Sequence, residues 1–215
     1  MKIGVLGTGV VGRALAGRLA ELDHEVVVGT RSPDETQGRE EWDIPLATFA
    51  DAAQGADVVI NATRGDITLD VLGTIGDSLN GTVLLDVSNP IDMETGFPPQ
   101  LFVKDTDSLA ERIQAAFPGA RVVKSLNTLG APMMVHPEAL PEPTTVFISG
   151  DDDDAKFVVT GLLEELGHDD VIDLGELSTA RGTEMYLAFW LRVFGALGTP
   201  QFNVKIVRWP AEPTE

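Results

Sequence analysis

The run Gly7-Thr8-Gly9-Val10-Val11-Gly12 constrains this chain more than any other feature. It follows the apolar stretch 2–6 and opens the segment 10–22, where Leu15, Leu19 and Leu22 recur at helical spacing. A β-branched run at 25–29 comes next, so strand, glycine turn, helix and strand succeed one another within about thirty residues. In that setting each glycine has a physical task. Gly7 permits a tight turn, Gly9 lets a pyrophosphate approach the backbone, and Gly12 lets the helix pack closely on the strand. The unpaired N–H groups and partial positive charge at the helix start complete a site for a dinucleotide over residues 7–12.

The end of the second strand discriminates between the two nicotinamide dinucleotides. A carboxylate there would bond the ribose 2′-hydroxyl and repel a 2′-phosphate. The chain instead offers Thr30, Arg31 and Ser32, two hydroxyls and a guanidinium suited to gripping a phosphate, which points to NADP(H).

The alternation continues through expected strands at 44–47, 57–62, 82–86, 121–125, 145–149 and 171–174. Between them, helices are expected at 49–53, 68–79, 108–117 and 155–166. This is the pattern of an α/β protein with a Rossmann-type doubly wound parallel sheet, residues 1–175. A small C-terminal segment, 176–215, carries an unusually apolar and aromatic helix at 178–197 and an expected strand at 202–207; the last residues, 210–215, look frayed. So apolar a helix calls for a partner surface, and we expect a homodimer built around it, with the segment also covering the substrate cleft. Because ligands lie across the carboxyl ends of such strands, Ala62, Thr63, Arg64, Asn89, Pro90 and Asn127 are expected beside the cofactor.

The formal net charge of -19 disfavours nucleic acid and anionic membrane surfaces. The chain has no cysteine, and His24, His136 and His168 stand too far apart to form a metal-ligand spacing, so no metal site is expected. Each histidine reads as a loop or surface residue. The acidic run at 151–154 reads as the solvated start of a helix. No leader-like or membrane-spanning stretch is evident, so a cytoplasmic protein is expected.

The sequence resembles the coenzyme F420-dependent NADP oxidoreductase family over nearly its whole length. The matching stretches are GVLGTGVVGRALAGRLAELDHEVVVGTR, VVKSLNT, GELSTARGTEMYLAFWLRVFGALG and NVKIV. The resemblance implies direct hydride transfer between the nicotinamide and a deazaflavin stacked on it, with coenzyme F420 as co-substrate. Such chemistry asks for positioning and exclusion of water rather than an acid or base, and no catalytic residue is expected. By the match, Asn127, Thr128, Ser178, Arg181 and Thr183 would line the acceptor pocket, over an apolar floor of Leu129, Met133 and Met134. The family's archaeal members carry histidine where Asn127 stands. Arg181, Lys124 or Arg192 would have to form a positive mouth for the phosphate and glutamate of F420. Reduction of another small acceptor (imine, ketone or metal chelate) and a non-enzymatic NADPH-sensing module stay open as alternatives.

Overall fold

The computed structural model describes residues 1–39, 41–92, 94 and 96–209; the tail read as frayed, 210–215, lies outside them. The run Lys2–Leu6 forms β1 and is buried from Ile3 onward, as a strand covered on both faces must be. Helix α1, Val10–Glu21, buries Leu15, Ala16 and Leu19 against the sheet and returns the chain to β2, Glu25–Thr30. The succession runs on through α2 (Pro33–Arg39), β3 (Leu46–Thr48), α3 (Phe49–Ala53), β4 (Val58–Asn61), α4 (Thr68–Gly73) and β5 (Val83–Asp86). A small antiparallel pair, β6 (Ile91–Asp92) and β7 (Gln100–Leu101), stands apart from the main sheet. Then come α5 (Leu109–Ala116), β8 (Arg121–Ser125), α6 (Ala131–Val135), β9 (Thr145–Gly150), α7 (Asp153–Glu165), β10 (Asp170–Asp173) and α8 (Ala180–Leu197).

The eight-stranded sheet has the order β10-β9-β8-β5-β4-β1-β2-β3. Its strands are parallel except at one step, where β9 runs antiparallel to β8 with Lys124 opposite Ser149. The connection explains the reversal. It holds only the five-residue α6 and a single 3-10 turn, Pro137–Ala139, too little helix to carry the chain back along the sheet, so β9 starts from the edge where β8 ends. Strand order reverses direction between β1 and β4, and the crevice above that point is where such a sheet binds ligands. Apolar residues cover both faces, with Leu15, Val28, Val123 and Leu163 in one layer and Leu6, Leu84, Ile113 and Val122 in the other.

Several expectations need correction. Residues 202–207 are not a strand. Both edges of β9 are already taken, so this segment reaches only its first residue, through Thr145 N–H to Val204 O (2.9 Å) and the Asn203 amide to Thr145 O (3.1 Å). The helix expected at 68–79 stops at Gly73 and resumes as a 3-10 turn, Gly76–Leu79, because Gly76 takes a left-handed φ of 64°. Helix α2 was not anticipated: it buries no residue and so carries no apolar stripe. His168 is a core residue, 1% exposed, with Nε2 3.0 Å from Met134 O. The acidic run does start a helix as expected, with Asp152 capping α7 by accepting the Ala155 N–H at 2.7 Å.

Candidate functional site

The glycine turn has the geometry its sequence implies. Gly7 adopts φ 112°, and a Cβ there would lie 2.7 Å from Ala62 O, so turn and β4 end touch backbone to backbone. A Cβ on Gly12 would lie 2.1 Å from Gly7 O, which sets how closely α1 approaches β1. Gly9 differs: a Cβ there would meet nothing within 4 Å. The space above it is open. Gly9 is also the N-cap of α1 and supplies no side-chain acceptor, which leaves the first N–H groups of the helix directed at that space.

A groove of about 290 Å³ runs from Gly9 past Ala62, Thr63 and Arg64 to Asn89, Leu129 and Met134. A second cavity, about 420 Å³, shares Gly9, Ala62, Thr63 and Arg64 with it and extends to Thr8, Thr30, Arg31 and Ser32. The sequence reading thus named residues at both ends of one continuous crevice. Thr30 and Thr36 share a hydroxyl contact of 3.0 Å, and Thr36 Oγ1 donates to Ser32 O at 2.9 Å, which fixes the turn from β2 into α2. Arg31 is exposed and makes no hydrogen bond or ion pair with the described residues. In a chain with 34 carboxylates and 15 basic side chains, this guanidinium at the mouth of a cavity keeps its donors unpaired among the described residues. Arg39 lines the same cavity, paired with Glu35 at 3.3 Å; sequence reading missed it with the helix that carries it.

Beneath the other end lies a buried polar network. Asp86, at the end of β5, accepts from Asn61 Nδ2 (2.7 Å), Ser88 Oγ (2.7 Å) and Lys124 Nζ (2.7 Å). Lys124 also reaches Ser88 O (2.6 Å) and Glu184 (2.9 Å). Glu184 in turn accepts the first N–H groups of α5, from Leu109 (2.7 Å) and Ala110 (3.1 Å). Burial alone would lower the Lys124 ammonium, but the two carboxylates outweigh it and hold it above its usual value. Glu184 was not singled out as a site residue, and only its three-dimensional partners reveal its role. Asn127 bridges the same region, donating from its amide to Asn89 Oδ1 (3.1 Å) and Thr183 O (3.0 Å), while Asn89 donates to Asn127 O. Pro90 is buried beside Asn89.

The residues expected around the acceptor divide. Leu129 and Met134 line the groove, whereas Met133 is 3% exposed within the core. Thr128 is buried and its Oγ1 has no partner among the described residues. Ser178, Arg181 and Thr183 line none of these cavities. Thr183 is buried and donates to Ala180 O, Ser178 sits in a 3-10 turn, and Arg181 Nε donates to Glu111 at 2.8 Å. Of the three side chains named for a positive mouth, Lys124 is buried in its own network and Arg181 pairs with Glu111, holding that carboxyl below the usual range, while Arg192 is exposed and makes no hydrogen bond or ion pair with the described residues. Among the described residues, no group of three or more His, Asp or Glu side chains is placed to hold a metal ion, and no helix is long and apolar enough to cross a membrane.

The geometry is that of a dinucleotide-dependent oxidoreductase, and known proteins narrow the class. Residues 2–90 match the family described as NADP oxidoreductase, coenzyme F420-dependent. The chain is 31% identical over 198 residues to the F420-dependent NADP reductase of Methanothermobacter marburgensis, across 86% of this chain and 88% of that protein. It is 32% identical over 185 residues to the metalloreductase STEAP3 of Rattus norvegicus, across 85% of this chain but 36% of that much longer protein. A crystal structure from Arthrobacter sp. FB24, provisionally described as an F420-dependent NADP reductase, superposes with a TM-score of 0.93 at 50% identity, covering 97% of this chain and all of that one. The chain belongs to the coenzyme F420-dependent NADP oxidoreductase family, and its nicotinamide cofactor is NADP(H).

Proposed function

We propose that this protein transfers hydride between NADP(H) and a flat acceptor, with the deazaflavin coenzyme F420 as first candidate, and that it works in the cytoplasm as a homodimer. The observation that carries the cofactor assignment is the unpaired Arg31 guanidinium at the end of β2. Thr30, Arg31 and Ser32 hold the 2′-phosphate, and residues 7–12 take the pyrophosphate over the open face of Gly9. Ala62, Thr63, Arg64, Asn89, Pro90 and Asn127 flank the ribose and nicotinamide, with Leu129 and Met134 as an apolar floor that excludes water. Bound NADPH supplies the hydride. The chain supplies orientation, and no side chain acts as acid or base. Residues 176–215 form the dimerising part: Phe189 and Leu197 of α8 are each 57% exposed, and Val207 and Trp209 beyond it more so. We also propose that Thr128, with its unpartnered hydroxyl, contacts the acceptor, together with Asn127. Ser178, Arg181 and Thr183 would act on it through α5 and Asn127 rather than by touching it. Reduction of a metal chelate or another small acceptor is the second reading, supported by the match to a metalloreductase.

Arg31 gives the test. A hydrogen bond to a charged partner contributes about 1.5–3 kcal/mol, so Arg31→Ala should weaken NADPH roughly ten- to a hundredfold and leave NADH nearly unchanged. Arg31→Asp should invert the preference. Paired titrations with NADPH and NADH on the three proteins decide it: equal weakening of both cofactors makes Arg31 a folding residue, and no change places the phosphate elsewhere.

A further inference from the structure

A third cavity, about 460 Å³, adjoins the nicotinamide end of the crevice and shares Arg64, Gly65, Asp66 and Ile91 with it. It lies between the 64–70 segment, the β6–β7 pair and the start of α5, and its size is within the roughly 300–1,000 Å³ usual for ligand sites. The ridge between the two cavities is fixed, because a Cβ on Gly65 would come within 2.1 Å of Asn89 O. Leu69, Ile91, Phe102 and Leu109 give the cavity apolar walls, and Leu69 and Phe102 are each 38% exposed to it and to solvent.

Its charges are one-sided. Four carboxylates, Asp66, Asp70, Asp92 and Glu94, face two guanidiniums, Arg64 and Arg112. Both guanidiniums are engaged: Arg64 grips Asp66, and Arg112 Nε donates to Asp107 at 2.7 Å. Neither is left for an incoming phosphate. Arg181, on α8 beside α5, is held by Glu111.

We propose that this cleft seats the acceptor, and that it selects a flat, largely apolar ring system without a polyanionic tail. The inference rests on the hydride-transfer reading above and puts a tail-free deazaflavin in place of coenzyme F420 as its first candidate acceptor. The ring would rest against Leu69, Ile91 and Phe102 beside the nicotinamide, while Asp70 and Glu94 repel the phosphate and glutamate that coenzyme F420 carries. A deazaflavin bearing only a plain ribityl chain meets the same walls without that repulsion.

The test is binding, so it does not depend on turnover. NADP⁺-loaded protein is titrated with coenzyme F420 and with the ribityl deazaflavin, following deazaflavin fluorescence at low and high salt. The expected result is a Kd for the ribityl compound roughly tenfold below that for F420 at low salt, with the gap closing as salt screens exposed charges over distances of about 10 Å. Asp70→Asn should tighten F420 several-fold and leave the ribityl compound within about twofold; Asp70 makes no hydrogen bond or ion pair with the described residues, so its loss should not unfold the chain. F420 binding as tightly as the ribityl compound at low salt, or an unchanged ratio in Asp70→Asn, overturns the proposal. Failure of the ribityl deazaflavin to bind overturns it too. Tight ring binding without hydride transfer supports the cleft and sinks the proposed activity instead.

Discussion

Gly9 and Gly12 of the turn should respond to the same substitution in opposite ways, and Gly9 is the informative one. Its backbone, φ -72° and ψ -177°, is one that alanine adopts without strain, and its Cβ would enter open space. Gly→Ala at a compatible site stabilises by about 0.4–1 kcal/mol through the unfolded chain, and alanine as N-cap costs a similar amount, so Gly9→Ala should fold within about 1 kcal/mol of wild type. The methyl group then occupies the space through which a pyrophosphate reaches the first N–H groups of α1. Losing one or two charge-assisted hydrogen bonds, at about 1.5–3 kcal/mol each, weakens NADPH by at least roughly tenfold and more if both go. Gly12→Ala meets Gly7 O at 2.1 Å, a backbone atom that cannot rotate away. It should therefore lose about 1–3 kcal/mol of stability and displace α1, weakening NADPH as a consequence. Urea denaturation and NADPH titration on the same samples read out both quantities. Wild-type affinity in Gly9→Ala would refute the placement of the pyrophosphate. Equal destabilisation by the two variants would show that Gly9 serves the fold and not the ligand.

Two further outcomes follow from buried titratable groups. Lys124→Met leaves Asp86 and Glu184 buried with no counter-charge, which should cost about 3–5 kcal/mol in urea denaturation; adding Glu184→Gln should recover part of it, and full additivity would deny that the three groups interact. Burial pushes the His168 imidazole below its ordinary value, against the Met134 carbonyl and the nearby Glu138 and Asp169. As pH falls through about 6.5 the unfolded chain takes up this proton before the folded one, so His168 contributes stability above that pH that is lost below it. Wild type should lose more stability than His168→Gln between about pH 7.5 and about pH 5.5; a parallel loss would mean that His168 titrates alike in both states.

What was legible in the sequence was what local patterning encodes. The βαβ unit could be read because the apolar run of β1, the glycines of the turn and the leucine stripe of α1 are adjacent in the chain, and their physics is decided by near neighbours. Arg31 was legible for the same reason, as the last strand residue and the turn fix its place whatever the rest does. Where the outcome depends on distant partners, the pattern misled. The alternation at 202–207 suits a strand, yet strand formation needs a free edge, and β9 has given both of its edges to β8 and β10. Arg181 suits an anion site by type, but Glu111 on α5 reaches it first. His168 stands alone in sequence and is a core residue through a distant partner, the Met134 carbonyl that α6 presents to it. Glu184 looks like any charged residue in a helix, and its meaning comes from Lys124 on β8 and two N–H groups of α5. That same carboxylate ties α8 to the strand ends under the Asn89 end of the groove. The C-terminal segment therefore reaches the groove through buried charge and backbone, although Ser178, Arg181 and Thr183 line none of its walls.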